Sequence, residues 1–261
     1  MNFSLNLYNE LYKRTLILWD YKFNIFMQFF MMILIFVGAS FILGQGTFRP
    51  EQVTPMLLGY IVWFYARVVI TTTSSDMLSE AQIGTLEQMY MSPASPTALL
   101  LNRMVAILLT STVIVIVPTA LLMAGLGISF PFRWEGLLIL ALTLVGLFGF
   151  SLILCGAALV FKQIDALADL LQNVLLFLTG SLLPVTSFPV WLTIIAQTLP
   201  TTQGILVLRS VVLQGESLSA AWNNGSLIWL IIHSSLYLCA GCGIFMLCER
   251  YAKQKGSLGQ Y

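Results

Sequence analysis

Residues 80–103 read Glu-Ala-Gln-Ile-Gly-Thr-Leu-Glu-Gln-Met-Tyr-Met-Ser-Pro-Ala-Ser-Pro-Thr-Ala-Leu-Leu-Leu-Asn-Arg, a polar-punctuated passage between two strongly apolar segments. Ser79, with Gln82 three positions on, has the form of a capping box, which predicts a helix start there. Ile83, Leu86, Met89 and Tyr90 then share one face at helical spacing, while Gln82, Glu87 and Gln88 fall elsewhere. Pro93 should end this short amphipathic helix. Ser95 followed by Pro96 predicts an N-cap with proline in the first helical position, opening a helix that enters the next apolar block. A capped amphipathic helix held between two membrane spans belongs in water, where it can touch a partner.

Composition sets the surroundings of that passage. Hydrophobic residues make up 58% of the 261 and charged residues only 9%, far from the balance of soluble domains. A mean hydropathy of +0.90 points the same way, to an all-α polytopic membrane protein. The formal charge of +1 leaves no basic stripe to neutralise phosphates, so a nucleic-acid partner is not expected. Cys155, Cys239, Cys242 and Cys248 all lie in or at the end of apolar segments, where cysteine is an ordinary small filler. Cys239 and Cys242 have the spacing of a redox pair without the soluble strand-helix setting that pair needs. Disulfides are not expected.

About 20 apolar residues are needed to span a bilayer as helix, and the sequence offers six such runs. They lie at about Phe23–Leu43, Met56–Thr73, Met104–Ala124, Glu135–Phe161, Ala166–Leu183 and Ser226–Leu247. The third contains Pro118, which predicts a kink. No cleavable leader is evident. Residues 1–22 read instead as an amphipathic helix in the interface plane, with Leu5, Tyr8, Leu11, Tyr12, Thr15, Leu16 and Trp19 toward acyl chains. Residues 23–248 then form the six-span domain, with 76–103 exposed between spans two and three, and 249–261 form a polar tail. Between spans five and six, Pro184, Pro189 and Pro200 divide residues 184–225 into two half-length helices, at Val190–Leu199 and Thr201–Leu213. Such a pair predicts a re-entrant hairpin, which also carries Arg209.

Six spans place both termini on one side. Termini in the cytoplasm put Lys13, Arg14, Lys22, Arg103, Lys162, Arg250, Lys253 and Lys255 inside and leave Arg49, Arg133 and Arg209 outside, as the positive-inside rule prefers. Within the spans, Arg67 needs a partner or a water-filled path. It reads as a pathway or gate residue facing the bundle interior toward Asp169, or else as a structural or snorkelling cation. Asp165 and Asp169 sit one turn apart at a helix start favoured by the N-terminal dipole. His233 is the one histidine, so no metal site is credible, and its ordinary role is a helix-helix hydrogen bond. No Gly-x-x-x-x-Gly-Lys-Ser/Thr loop occurs, so this chain is not expected to bind ATP in that way. An intramembrane enzyme would need convergent polar groups in the spans, and a passive channel or accessory subunit would leave the capped helix unexplained.

Glu80 onward, with Gly84-Thr85-Leu86-Glu87-Gln88-Met89-Tyr90-Met91-Ser92-Pro93, resembles the cytoplasmic segment of the ABC-2 type permeases, the membrane subunits of a class of ATP-binding-cassette exporters. Pro189-Val190-Trp191-Leu192, Leu199-Pro200-Thr201-Thr202 and Leu208-Arg209 are similar to that family's outer half-helix pair, and both motifs stand in family order. The resemblance implies a plasma-membrane permease half-unit that pairs with a second copy or a paralogue. It also implies docking on two separate ATPase subunits, which would bind ATP and Mg. Glu80, Gly84, Thr85, Leu86, Glu87 and Gln88 would form the docking surface. With no appended carbohydrate-binding domain, a small amphipathic drug or antibiotic is the expected cargo, and a lipid-linked glycan or other lipid the alternative.

Overall fold

The structure is a computed structural model that describes residues 3–83, 96–161 and 164–255, without the side chains of 3, 80–83, 96–98 and 100. The described residues are helical with no strand, an all-α multi-pass architecture. In chain order the elements are α1 (Phe3–Asp20), α2 (Lys22–Leu43), α3 (Pro50–Ile83), α4 (Pro96–Leu126), α5 (Trp134–Phe161), α6 (Asp165–Leu178), a 3-10 turn (Val185–Ser187), α7 (Val190–Thr198), α8 (Thr202–Val212), α9 (Leu218–Asn223) and α10 (Ser226–Lys255). Five of them, α2, α3, α4, α5 and α10, are long and apolar enough to cross a membrane.

α3 is the core helix. Tyr60, Trp63, Phe64 and Ile70 are almost fully buried, and Phe36, Tyr60 and Trp63 form an aromatic ladder with centroids 5.0 and 4.9 Å apart. α2 crosses beside it with much of its surface bare, including Phe26, Phe30, Leu34 and Ile42. In a bilayer such a face costs little, because lipid is as apolar as the side chains it meets.

α5 and α10 run parallel. An added Cβ at Gly146 would meet Ser234, one at Gly149 would clash with the Tyr237 backbone, and one at Gly156 would meet Phe245 and Cys248. Close backbone approach through small residues is the usual packing of membrane helices. The parallel pair also fixes the path between them. The chain leaves α5 at one end of the bundle and enters α10 at the other, so residues between 161 and 226 must return along its length. α6 makes that return.

Several expectations are corrected. The fifth apolar run does not stay helical to Leu183. α6 stops at Leu178, 14 residues in all, and its length of about 20 Å at 1.5 Å per residue is short of a full span. Gly180, at φ +83°, turns the chain out of the helix, and the Thr179 hydroxyl bonds Leu175 O and meets Ser181 Oγ at 2.9 Å. No helix begins at Ser79. α3 runs unbroken through Ile83, and Ser79 Oγ donates back to Asp76 O at 2.9 Å instead of capping a new turn. The polar tail is not separate at its start either, since α10 continues through Lys255. The predicted helix opening at Pro96 is present. Its Ser95 cap and the Gly84–Pro93 helix fall outside the described residues.

The half-length pair is present as α7 and α8, which meet at 91° across Pro200. The carbonyls at the end of α7 are satisfied locally, Ala196 O by the Thr202 hydroxyl at 2.6 Å and Thr198 O by Tyr237 Oη at 2.6 Å. This is how a helix end is tolerated at membrane depth. α7, α8 and α9 thus close one end of the bundle, the capped end. The opposite end holds α1, the C-terminus of α10 and the stems of the segment joining α3 to α4.

Candidate functional site

Two rows of polar residues on α1 and α3 build the site. Leu7, Glu10, Leu11, Arg14 and Leu18 recur at helical spacing on the less exposed side of α1, whereas Leu5, Tyr8, Tyr12, Leu16 and Trp19 are exposed on the other. Glu10 and Arg14, one turn apart, are therefore turned toward the bundle. Arg14 pairs with Asp76 near the end of α3, and Glu10 lies 3.8 Å from Arg103 near the start of α4. α1 is pinned to both stems of the connecting segment.

Above these pairs lies a cavity of about 340 Å³ among α1, α2, α3, α4 and α6. Its polar lining includes Arg14, Arg67, Thr71, Asp76, Asp169 and Gln172. Arg67 stands 17 residues beyond Pro50 on the 34-residue α3, about 25 Å along the helix and so near its middle. The Arg67 guanidinium carbon lies 5.7 Å from the Trp63 ring centroid, within reach of a cation-π attraction. Among the described residues no carboxylate lies within ion-pairing distance of Arg67. Asp169, expected to face it, lines the same cavity from α6.

The α3–α6 seam beside the cavity is polar and specific. Trp63 Nε1 donates to Gln172 O at 2.8 Å, and Gln172 Nε2 donates to Thr71 Oγ1 at 2.9 Å. Trp63 fixes a carbonyl on a wholly different helix while its ring receives Arg67. Neither Gln172 nor Thr71 is conspicuous in sequence, since each is a lone polar residue in an apolar run. Asp76 carried a better signal, as a carboxylate deep in a helix whose one preceding cation, Arg67, is nine residues away.

The remaining expected site residues divide in two. Gly84, Thr85, Leu86, Glu87 and Gln88 lie outside the described residues, and Glu80 is in α3 without a described side chain. At the capped end, Pro184 and Pro189 precede the 3-10 turn and α7, Pro200 separates α7 from α8, and Arg209 on α8 donates hydrogen bonds to three backbone carbonyls. His233, expected to bond across helices, packs by its ring against Trp229 and Tyr237 of its own helix and interacts with the Thr198 backbone at the end of α7, while its Nδ1 has no partner among the described residues. All four cysteines are free.

A bundle of apolar membrane helices around a charged, polar cavity, with one end closed by a broken helix pair, is the frame of a multi-pass transport protein. A family model described as ABC-2 family transporter protein matches residues 46–242. The chain belongs to that family and is an ABC transporter permease subunit, a transport membrane component that associates with ATP-binding-cassette ATPase subunits. Comparison with curated proteins gives no match.

Proposed function

We propose that the chain is half of the permease of an exporter in the plasma membrane, with both termini cytoplasmic. It works as a dimer with a second copy or a paralogue, on two ATPase subunits that bind ATP and Mg. The observation that carries this reading is the continuity of α3. One unbroken helix supplies the Arg67, Thr71 and Asp76 side of the cavity and the stem of residues 76–103. The docking surface is formed by Glu80, Gly84, Thr85, Leu86, Glu87 and Gln88, and a push delivered to it at Glu80, which lies in α3, is carried along that helix to the cavity wall. Arg67 and Asp169 are the pathway residues.

The cavity supports a small amphipathic cargo such as a drug or antibiotic. Its lining mixes Ile25, Phe64, Val68 and Ile114 with Arg67 and Gln172, and its volume is in the range of small-molecule sites. Nucleotide closes the ATPase pair, the docked segments approach, and the bundle shifts toward an outward-open state. The driving force is the difference in contact free energy between two states, which the ATPase supplies. The test is purification with the native ATPase partners. Co-elution is expected, with hydrolysis stimulated by the permease and that stimulation lost in Glu87→Ala. A permease that elutes alone, or a Glu87→Ala variant that stimulates fully, overturns the reading.

A further inference from the structure

Arg209 is a cation on a re-entrant helix with no carboxylate within ion-pairing distance among the described residues. Its hydrogen bonds among the described residues all go to backbone carbonyls. Nε donates to Pro55 O at 2.8 Å, and Nη2 donates to Gly180 O at 2.7 Å and to Ser181 O at 3.3 Å. Pro55 lies in the capped-end turns of α3, whereas Gly180 and Ser181 form the turn that follows the early end of α6. One guanidinium edge thus joins α3, α6 and α8. The carbonyls beyond α6 no longer have helical partners, and at membrane depth they require donors.

The fit is tight on the opposite side as well. A Cβ on Gly59 would stand 2.6 Å from Arg209 Nη2 and 2.8 Å from both Ser181 Cα and Ser181 O. Glycine at this position lets α3 approach the Ser181 turn closely enough for the arginine to bridge them. Ser181 itself is fully buried beneath the bridge.

We propose that Arg209 is a positioning residue for transport, a latch that holds the capped-end mouths of α3 and α6 together through the re-entrant helix and keeps that end shut in the resting state. The inference rests on the exporter reading, in which these two helices part at the capped end to release cargo. A planar guanidinium presents a rigid edge of donors that matches carbonyls from both helices at once, whereas the rotatable donors of an ammonium on a flexible stem do not fix that geometry. The latch therefore depends on the shape of the arginine fork as well as on its charge.

The experiment uses the full chain in intact cells, with the four native cysteines replaced by alanine and Ser181→Cys as reporter, treated from outside with a membrane-impermeant maleimide. With Arg209 in place the reporter is expected to stay unlabelled. In Arg209→Met it should label at least about tenfold faster, since charged hydrogen bonds to the carbonyls are lost, and Arg209→Lys should fall between. Gly59→Ala, which wedges the same junction from α3, should also open the reporter, and it replaces Arg209→Met as the decisive variant if that one fails to reach the membrane. Labelling that stays at the parental rate in these variants, whether or not their thermal stability falls, overturns the latch. Reporter labelling that rises in Arg209→Met only when the maleimide is given to the cytoplasmic face leaves the latch standing and overturns the assigned orientation. An ATPase that fails to co-purify overturns the exporter reading without touching the labelling result.

Discussion

At the residue scale, the charges on the inner cavity do two different jobs. Arg14 is 11% exposed and Asp76 34%, and they satisfy each other across two helices. Asp76→Asn leaves the arginine without its counter-charge, and a loss of about 1–3 kcal/mol is expected because a charged hydrogen bond is weakened at a partly buried site. Thermal denaturation in detergent checks this, with the exchange Arg14→Asp plus Asp76→Arg recovering part of the loss. Arg67 is different because, among the described residues, no carboxylate lies within ion-pairing distance of it. Replacing a cation at membrane depth by an apolar residue relieves a desolvation cost. Arg67→Leu is expected to keep or raise the melting temperature while transport-linked stimulation of the ATPase falls, and a melting temperature that drops with activity intact would make Arg67 a structural residue. The position of Arg67 was legible from sequence because a lone charge in an apolar run is conspicuous. Its neighbours Gln172 and Thr71 were not, since the hydrogen bond that makes them matter joins residues 101 positions apart.

At the element scale, helix starts and most helix ends follow local chemistry, and the exceptions have long-range causes. Pro96 and Ser226 open helices as proline and serine near helix starts commonly do. The early end of α6 was not legible because Leu182 and Leu183 continue the apolar run, and the carbonyls released there are held by Arg209, 28 and 29 positions away. Ser79 misled because serine serves equally as a cap and as a donor to its own helix, and nothing after it breaks α3. The contact between α5 and α10 yields a clean test. A Cβ at Gly241 would clash with Gly149 O, whereas one at Gly243, two residues along the same helix, meets nothing within 4 Å. Gly241→Ala is expected to cost about 1–3 kcal/mol by forcing two backbones apart. Gly243→Ala should be neutral or stabilising by about 0.5–1 kcal/mol, since alanine is the better helix former. Equal melting temperatures for the two variants would contradict the close parallel packing.

At the scale of the whole molecule, the question is how many times the chain crosses. Hydropathy counts six apolar runs, yet among the described residues five helices reach full length, and α6 by itself is too short. Parity decides what length cannot. The contacts of Gly146 with Ser234 and of Gly156 with Cys248 make α5 and α10 parallel, so an odd number of crossings lies between them. The broken pair α7–α8 turns through 91° at the capped end, and Tyr237 from α10 reaches Thr198 at the end of α7, so this pair enters and leaves on one side. The single return is then α6 together with the extended turn up to Pro189, a crossing made partly of non-helical backbone whose carbonyls borrow side-chain donors. This assigns Gln214, exposed between α8 and α9, and Gln254, exposed in the last turn of α10, to opposite faces of the membrane. In the cysteine-free chain, Gln214→Cys should react with an impermeant maleimide only from outside and Gln254→Cys only after the cytoplasmic face is opened. Reaction of both from the same face would mean that α6 does not cross, and with it would go the shared sidedness of the α3–α4 segment and the C-terminus on which an ATPase docked from the cytoplasm depends.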